Sequence, residues 1–313
     1  MELALQVGIF VVALAGLVKG SDWFIDSAES IGLSFGISPF IIGVTIVAFG
    51  TSLPELATSI SSVLQGESEV VVGNVVGSNI ANIALVMGLV AVTVRMIRLD
   101  YNIWHNDMGF LLGSSFLLYF SVWDGYFSIF EAIIFLMALL LFLWYSFTDS
   151  ENKTDEEEED QDKEKITTKT WILLLIGGLL VWQGADWTIK SISAMAKMAS
   201  ISPEIIALTA VAIGTSLPEV IVSVGAAKKG KTSIAIGNVL GSNIFNTFFV
   251  MAIPSFFGTL EIPEKVITFY LPFMIVMTIL FAVMTSNKKV SQWEGYLLIV
   301  FYCFYLVTTI SSI

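Results

Sequence analysis

The sequence predicts an all-α integral membrane protein of ten transmembrane helices, arranged as two inverted five-helix repeats with broken helices at the membrane midplane. Three observations lead to this fold class. Hydrophobic residues make up 56% of the 313-residue chain, and its mean hydropathy is +0.83. Apolar stretches near the length that crosses a bilayer, about 20 residues, recur along the chain. The second half of the chain also repeats the first.

The apolar stretches define the predicted spans and their grouping. The ten spans cover residues 3–28, 39–64, 70–93, 103–121, 127–147, 170–196, 203–227, 232–257, 265–284 and 292–311. The first is too long for a signal peptide and lacks its cleavage pattern, so we expect it to be retained. Only 148–169 is plainly hydrophilic. The predicted organisation is a first repeat over 1–147, an acidic linker over 148–169 and a second repeat over 170–313.

The composition excludes several classes of protein and of site. Charged residues are 13% of the chain, against about 25% in soluble domains, so an ordinary soluble enzyme and a disordered protein are excluded. One cysteine, Cys303, rules out an internal disulfide and a thiolate metal cluster. One histidine, His105, rules out a multi-histidine metal site, and we interpret it as an interfacial residue. We expect the lipid bilayer as a partner, no nucleic acid and no cofactor, while protein partners stay open.

Charge placement predicts the orientation. Ten of the 27 acidic residues lie between Asp149 and Glu164, so the net charge of −12 is mostly the property of one loop. With the N-terminus outside, eleven Lys and Arg residues fall in inside loops and three in outside loops. The positive-inside rule then predicts that both termini are outside and that the acidic loop is cytoplasmic. We expect the protein to lie in the plasma membrane.

An internal repeat runs at an offset of 164 residues without a gap, and 31 of the 69 positions from Gly20 to Gly88 match their counterparts. The segment GTSLPE at 50–55 returns at 214–219, and GNVVGSNIAN at 73–82 returns as GNVLGSNIFN at 237–246. Because each half holds five spans, the second half enters the membrane upside down. This inverted repeat is typical of secondary transporters, which bind their substrates at the midplane between the halves. The alternative, a duplicated scaffold, does not need polar repeats inside apolar spans.

Two glutamates lie deep in equivalent predicted spans. Glu55 is about 16 residues into its span, and Glu219 occupies the same place in the repeat. A carboxylate at such depth costs roughly 2.5–3.5 kcal/mol on insertion scales. Two of them close together also repel, and a bound cation removes both penalties. The alternative role for Glu55 is a capping box with Ser52, three residues before it.

The backbone before each glutamate is predicted to be irregular. Pro54 lacks an N–H and opposes an unbroken helix, and Gly50 loosens the chain just before it. We expect the helix to break near Thr51 and Ser52, which would free carbonyl oxygens of Ala48, Phe49 and Thr51. Unwound backbone at membrane depth is tolerated where it lines a cavity.

The next span in each half adds neutral oxygens. Ser78 and Asn82 are four residues apart and share one helix face, as do Ser242 and Asn246. Together with the glutamates and hydroxyls they would form a cage of oxygens only. Calcium takes about 6–8 oxygen ligands, and sodium is also bound by oxygen. Nothing in the sequence suits a soft metal.

These duplicated motifs resemble the two alpha repeats of the sodium/calcium exchangers, within the calcium:cation antiporter superfamily, and specifically a short prokaryotic-type member. The resemblance covers both halves and implies sodium/calcium antiport by alternating access, with three sodium ions per calcium and so net charge movement. It also implies that Asn82 and Asn246 flank the middle site. The implied cation ligands are Glu55, Glu219, Thr51, Ser52, Thr215, Ser216, Ser78, Ser242 and the backbone carbonyls of Ala48 and Ala212.

Two departures from relatives bear on the coupling ion. Some exchangers, archaeal and potassium-dependent ones among them, have Asp where this chain has Asn246. Both copies carry Asn here, as in potassium-independent animal exchangers, which weakens any potassium or proton role at that position. Calcium/proton relatives carry a further Glu where this chain has Gly77 and Gly241, which argues against proton coupling. The alternatives are calcium/proton or potassium-dependent exchange and, from other classes, a cation channel or a membrane enzyme. No nucleophile–base pair supports the enzyme, so a non-enzymatic transporter is expected.

Two acidic features have competing interpretations. Asp22 and Asp186 recur near the ends of long first spans, each followed by Trp, and could anchor the helix ends or guide cations. The run Glu156–Asp160 is interpreted as a solvated linker rather than as a regulatory calcium site, because it lacks the Gly and the spaced acids of an EF-hand loop.

Overall fold

Long apolar helices make up most of the structure. The computed structural model describes residues 2–99, 103–104, 107–154, 166–198 and 214–311. Within these ranges eight helices are long and apolar enough to cross a membrane. The chain is a multi-pass, all-α membrane protein, as its sequence predicts.

The first half of the chain contains eight helices and two π-helical turns. The helices are α1 (Glu2–Ser34), α2 (Pro39–Ile42), α3 (Ala48–Thr51), α4 (Leu53–Leu64), α5 (Glu69–Ala81), α6 (Met87–Val94), α7 (Asp107–Ser121) and α8 (Ile129–Thr154). The π-helical turns Gly43–Val47 and Asn82–Val86 join α2 to α3 and α5 to α6. As a result, Pro39–Leu64 and Glu69–Val94 each form one span with a local irregularity.

The second half mirrors this order. Its helices are α9 (Thr168–Met198), α10 (Leu217–Lys228), α11 (Thr232–Phe245), α12 (Leu271–Thr285) and α13 (Gln292–Ile310). A π-helical turn at Asn246–Val250 continues α11, another at Val266–Tyr270 precedes α12, and a 3-10 turn covers Pro254–Phe256. The short strands are β1 (Met96–Arg98), β2 (Tyr126–Phe127), β3 (Leu260–Glu261) and β4 (Lys289–Ser291).

Eight of the ten predicted spans are long apolar helices, and the other two differ. The fourth is α7, whose 15 residues are short for a full crossing. The seventh is described from residue 214 onward, so its first part and Ala212 lie outside the described residues, as does His105. The count of ten helices is therefore not confirmed. The division into two repeats and a linker also stays a prediction; α8 runs to Thr154, past the predicted boundary at 147, because no Gly or Pro stops it.

The sequence repeat is also a structural repeat. Helices α4 and α10 occupy equivalent residues, 164 apart, and so do the π-helical turns Asn82–Val86 and Asn246–Val250. The turn after α4 and the turn after α10 each use a glycine with positive φ, +82° at Gly66 and +80° at Gly230, a conformation that side-chain-bearing residues rarely adopt.

The strands link the two halves by equivalent pairings. β1 of the first half pairs antiparallel with β4 of the second, with Met96 opposite Ser291. β2 pairs with β3 in the same way, with Tyr126 opposite Glu261. Because β3 is the repeat counterpart of β1, and β4 that of β2, the two small sheets are related by the same pseudo-symmetry as the helices.

Small residues bring α1 and α9 into close contact. A Cβ added to Gly184 would lie 2.9 Å from the backbone N and Cα of Leu17, and one added to Gly20 would lie 2.9 Å from the carbonyl oxygen of Gly177. These distances leave no room for a side chain, so the glycines set the separation of the two longest helices.

The centre of the molecule is α11. Every residue of this helix from Ile234 to Phe245 is buried, which is expected only of a helix surrounded by others. A Cβ on Gly241 would collide with the carbonyl oxygen of Val44, so α11 lies directly against the π-helical turn Gly43–Val47. This contact places the polar residues of α11 beside those that precede Glu55.

Candidate ion-binding site

The two repeated glutamates are both fully buried, in the first turns of α4 and α10. Each follows a proline that occupies the start of its helix, where the missing N–H is not needed. The helix N-terminus favours negative charge, which lowers the cost of placing a carboxylate there. Helix α10, which carries Glu219, contacts α3, which directly precedes the helix of Glu55. The fold therefore brings the two glutamate helices to the same region, as the repeat predicts.

All four carboxylate oxygens of Glu55 and Glu219 lack a hydrogen-bond partner among the described residues. The Ser78 hydroxyl lies near the Glu55 carboxylate, and the Thr51 hydroxyl lies near the Glu219 carboxylate. Neither contact has the distance and angle of a hydrogen bond. Buried polar groups without partners are rare because each forfeits its hydration. Two such carboxylates at equivalent positions indicate a site made for a positive charge.

The capping-box alternative for Glu55 is wrong. Ser52 is the residue before α4, but its hydroxyl makes no capping hydrogen bond and is buried without a partner among the described residues. Ser216, before α10, is in the same position. Because neither the serine nor the glutamate of either pair is used for capping, their oxygens remain available to a ligand.

The predicted release of the Ala48 carbonyl is also wrong for this conformation. That oxygen accepts hydrogen bonds from the Ser52 N–H at 3.0 Å and from the Thr51 hydroxyl at 3.3 Å. The helix is irregular here, as predicted, but the irregularity takes the form of the π-helical turn Gly43–Val47 and a turn at Ser52. A ligand role for Ala48 requires one of these donors to move.

Hydroxyl groups from the two halves meet in two equivalent pairs. The oxygen of Thr51 lies 3.2 Å from that of Ser242, and the oxygen of Ser78 lies 3.2 Å from that of Thr215. The Thr51 hydroxyl oxygen also lies 3.1 Å from the Oδ1 of Asn238, which competes with the Ala48 carbonyl for the single hydrogen of that hydroxyl. The structure thus brings four of the predicted hydroxyl ligands together across the interface between the repeats.

Asparagine side chains brace the glutamate helices. The Nδ2 of Asn74 donates to the Ser59 hydroxyl at 3.0 Å and to the Glu55 carbonyl oxygen at 3.1 Å. The Nδ2 of Asn238 donates to the Ser223 hydroxyl at 2.9 Å. Sequence reasoning did not place Ser59 and Ser223 near the site. Their signal was identity at the 164-residue offset, without which each resembles an ordinary helix residue.

The remaining predicted pair, Asn82 and Asn246, begins the two equivalent π-helical turns. Both side chains are fully buried, and neither the oxygen nor the nitrogen of either amide has a hydrogen-bond partner among the described residues. π-helical turns inside α-helices are frequent at functional sites, because the extra residue re-aims a side chain. Nearby Asn79 differs, because it donates to Thr247 at 2.9 Å and so belongs to the packing between the halves.

The donor set of the site is oxygen only. It combines two carboxylates with hydroxyls and amide oxygens, and no group of three His, Cys, Asp or Glu side chains placed to hold a metal ion occurs in the described part of the chain. Such a set suits calcium or sodium and does not suit soft transition metals. Two negative charges also match the charge of one divalent cation.

Comparisons with known proteins agree with this chemistry. The sequence profile of the family described as sodium/calcium exchanger protein matches residues 5–148 and 169–311. The sodium/calcium exchanger MaX1 of Methanosarcina acetivorans is 33% identical, over 96% of this chain and 97% of its own. The uncharacterized membrane protein MJ0091 of Methanocaldococcus jannaschii is 35% identical, over 96% of each chain.

The fold agrees as well. A solved structure of the sodium-calcium exchanger NCX_Mj, soaked with Na⁺ and Sr²⁺, is similar with a TM-score of 0.84 and 32% identity, over 97% of this chain and 99% of that chain. A match of this extent includes both repeats. The chain belongs to the sodium/calcium exchanger family.

Proposed function

We propose that this protein is a secondary antiporter that exchanges sodium for calcium through one shared cage of oxygens. The observation that carries the proposal is the pair of buried carboxylates, Glu55 and Glu219, which come from equivalent places in inverted repeats and have no hydrogen-bond partners in the described residues. The names of the related exchangers support the identity of the two ions.

Charge balance sets what the cage can hold. One calcium ion neutralises two ionised glutamates. Three sodium ions, the number that the family resemblance implies, leave a net charge of +1. Exchange of one load for the other therefore moves charge across the membrane, and we propose that transport is electrogenic.

The proposed side-chain ligands are residues whose oxygens the structure leaves unpaired or shared between hydroxyls. The carbonyls of Ala48 and Ala212 are proposed on the family resemblance alone, because Ala48 is hydrogen-bonded in this conformation and Ala212 lies outside the described residues. The full proposed set is Glu55 and Glu219 for calcium, with Ser78, Ser242, Thr51, Thr215, Ser52 and Ser216 and the carbonyls of Ala48 and Ala212 completing the shells, and with Asn82 and Asn246 flanking the middle site. In the first half the described members lie on α3, α4 and α5, in the turn at Ser52 and at the start of the π-helical turn after α5. Those of the second half occupy the equivalent positions, where the halves meet.

Coupling follows from the cost of an uncompensated site. A ligand shifts a conformational equilibrium only through a difference in affinity between the two states. Two buried carboxylates that have neither a cation nor a hydrogen-bond partner among the described residues oppose movement of the bare cage through the closed conformation, whereas a loaded cage is neutral or nearly so. The protein then changes its facing side mainly when ions are bound.

The remaining aspects of the proposal concern location and chemistry. The protein lies in the plasma membrane with both termini outside and the acidic loop in the cytoplasm, as the distribution of Lys and Arg indicates. It acts without a cofactor and without enzymatic chemistry, because its site offers ligands for ions and no paired nucleophile and base.

Reconstitution tests the proposal. Purified protein in liposomes should take up calcium when an outward sodium gradient is imposed, and uptake should respond to membrane voltage. Potassium or proton gradients alone should drive little uptake. Uptake driven by protons or requiring potassium would assign the protein to another coupling, and equally fast uptake with no gradient and no counter-ion would indicate a channel.

A further inference from the structure

The two repeats hold different conformations around their glutamate helices. Helix α1 packs along α10, whereas its counterpart α9 makes no extended contact with α4 in the described residues. Val222 on α10 is fully buried, while its counterpart on α4, Thr58, is exposed. Among the described residues, α1 and α10 are therefore packed together at one end of the molecule, and α9 and α4 are apart at the equivalent end. We call these the closed end and the open end.

Four ion pairs fasten the closed end. Lys229 lies 2.9 Å from Asp22 and 3.0 Å from Asp26, and Lys231 lies 2.6 Å from both Asp26 and Glu29. The lysines belong to the turn after α10, and the acids to one face of α1. We refer to these five residues as the α1–α10 ion-pair cluster.

The cluster is only partly hydrated. The Lys231 side chain is 20% exposed. Burial alone lowers the pKa of Lys231, but its hydrogen bonds to Asp26 and Glu29 outweigh burial and raise that pKa overall. The cluster is thus a set of formed, charge-assisted contacts that must break if α1 leaves α10.

The repeat reverses the charges of one ion pair of this cluster at the open end, whereas Asp22 remains an acid as Asp186 and the counterparts of Lys229 and Glu29 are neutral. The counterpart of Lys231 is Glu67, and the counterpart of Asp26 is Lys190. Glu67 is exposed, and Lys190 pairs with Asp186 on its own helix at 2.8 Å, with a side chain that is 71% exposed. Two complementary charges thus occupy equivalent positions at the open end without being paired to each other.

We propose that Glu67 and Lys190 form an ion pair that fastens α9 to α4 when the α1–α10 ion-pair cluster opens, so that the two charge-reversed contacts alternate. The inference rests on the proposed function, because alternating access requires the inverted repeats to exchange conformations. The two contacts are unequal, with four ion pairs at one end and one at the other. Consequently the ion-free equilibrium favours the conformation seen here.

Disulfide cross-linking tests whether the second contact forms. In a Cys303→Ser background, one variant carries Asp26→Cys with Lys231→Cys, and another carries Glu67→Cys with Lys190→Cys. We expect both pairs to cross-link in membranes. The control pair, Glu67→Cys with Lys197→Cys, should not, because Lys197 lies about two helical turns farther along α9. A Glu67–Lys190 pair that cross-links no faster than the control overturns the proposal.

Cysteine labelling tests the balance between the two conformations. Val222→Cys, also in the Cys303→Ser background and in detergent, should react only in the alternate conformation, so its rate reports that population. Lys231→Gln should raise the rate by about two- to tenfold, the range that one or two partly exposed ion pairs support. Lys190→Gln should lower it. Lys228→Gln removes the same charge from the last residue of α10, which has no ion pair in the described structure, and should leave the rate unchanged.

Equal rates for Lys231→Gln and Lys228→Gln would contradict the proposal, as would a higher rate for Lys190→Gln. Neither cross-linking nor labelling measures ion flux. The proposal of alternating ion pairs and the proposal of sodium/calcium antiport can therefore be disproved independently. If the wild-type protein exchanges sodium for calcium but the cysteines at positions 67 and 190 do not cross-link, the proposed Glu67–Lys190 contact is wrong and the antiporter function is retained. If the contacts alternate but liposomes show no sodium-driven calcium uptake, the antiporter is wrong.

Discussion

The hydroxyl oxygen of Thr51 lies 3.2 Å from that of Ser242, which is on the other repeat. The same contact recurs between Thr215 and Ser78, also at 3.2 Å. Each half therefore supplies part of the proposed cage, and neither repeat alone contains all of the proposed ligands. If these oxygens bind one set of ions, both copies of the motif are needed to form the site.

The first prediction concerns charge. Glu55→Gln and Glu219→Gln should each reduce sodium-driven calcium uptake by at least about 100-fold. Each removes one of the two charges that offset a divalent cation in a low-dielectric site, where a lost interaction of a few kcal/mol changes affinity by orders of magnitude. Glu69→Gln is the matched control, because Glu69 also begins a helix but is exposed. Near-normal uptake by a folded Glu55→Gln or Glu219→Gln protein would remove both residues from the site.

The second prediction concerns competition. Calcium should raise the melting temperature of the purified protein, because a ligand that binds only the folded state stabilises it by RT ln(1 + [L]/Kd). Sodium should raise the calcium concentration that gives half of this shift without lowering the maximum, since the sequence and structure offer one shared cage. Glu219→Gln should abolish the calcium shift. A calcium shift unaffected by sodium would mean separate binding sites.

The third prediction separates bracing from binding. Ser223→Ala removes the acceptor of the Asn238 amide, which is buried, and a donor left unpaired costs about 1–3 kcal/mol. The melting temperature should therefore fall by a similar amount with and without calcium. Ser61→Ala changes an exposed hydroxyl on α4 and should have little effect. Loss of the calcium shift alone, with unchanged ion-free stability, would instead place Ser223 among the ligands.

The fourth prediction concerns the contact between α1 and α9. Gly184→Ala places a Cβ 2.9 Å from the backbone of Leu17, and forcing atoms into a packed interface costs about 1–3 kcal/mol. Thermal unfolding should show this loss. Gly16→Ala is the control, because nothing lies within 4 Å of its added Cβ. Equal stability of the two variants would show that α1 and α9 can move apart near Gly184 without a loss of stability.

Residue type and spacing are enough to predict much of the site. The 164-residue repeat identified Glu55, Glu219 and the serines and asparagines around them, and apolar length located eight spans within a few residues. A sequence displays both properties directly. The sequence predictions were wrong where they depended on the exact backbone hydrogen bonds before α4. The capping box does not form, and the Ala48 carbonyl oxygen is hydrogen-bonded.

The sequence by itself determined that the chain crosses a membrane repeatedly and that its second half repeats the first. It also predicts that the halves are inverted and that the proposed ligands are oxygens. The tertiary structure alone decided which copies of the motif touch, with Thr51 facing Ser242 rather than the serine of its own half. It also decided that α1 closes on α10 while α9 stands away from α4. The physical reason is that the two repeats have nearly the same local sequence, so either first helix could close on the glutamate helix of the other repeat. Only packing and ion pairs between distant parts of the chain decide that α1 closes on α10.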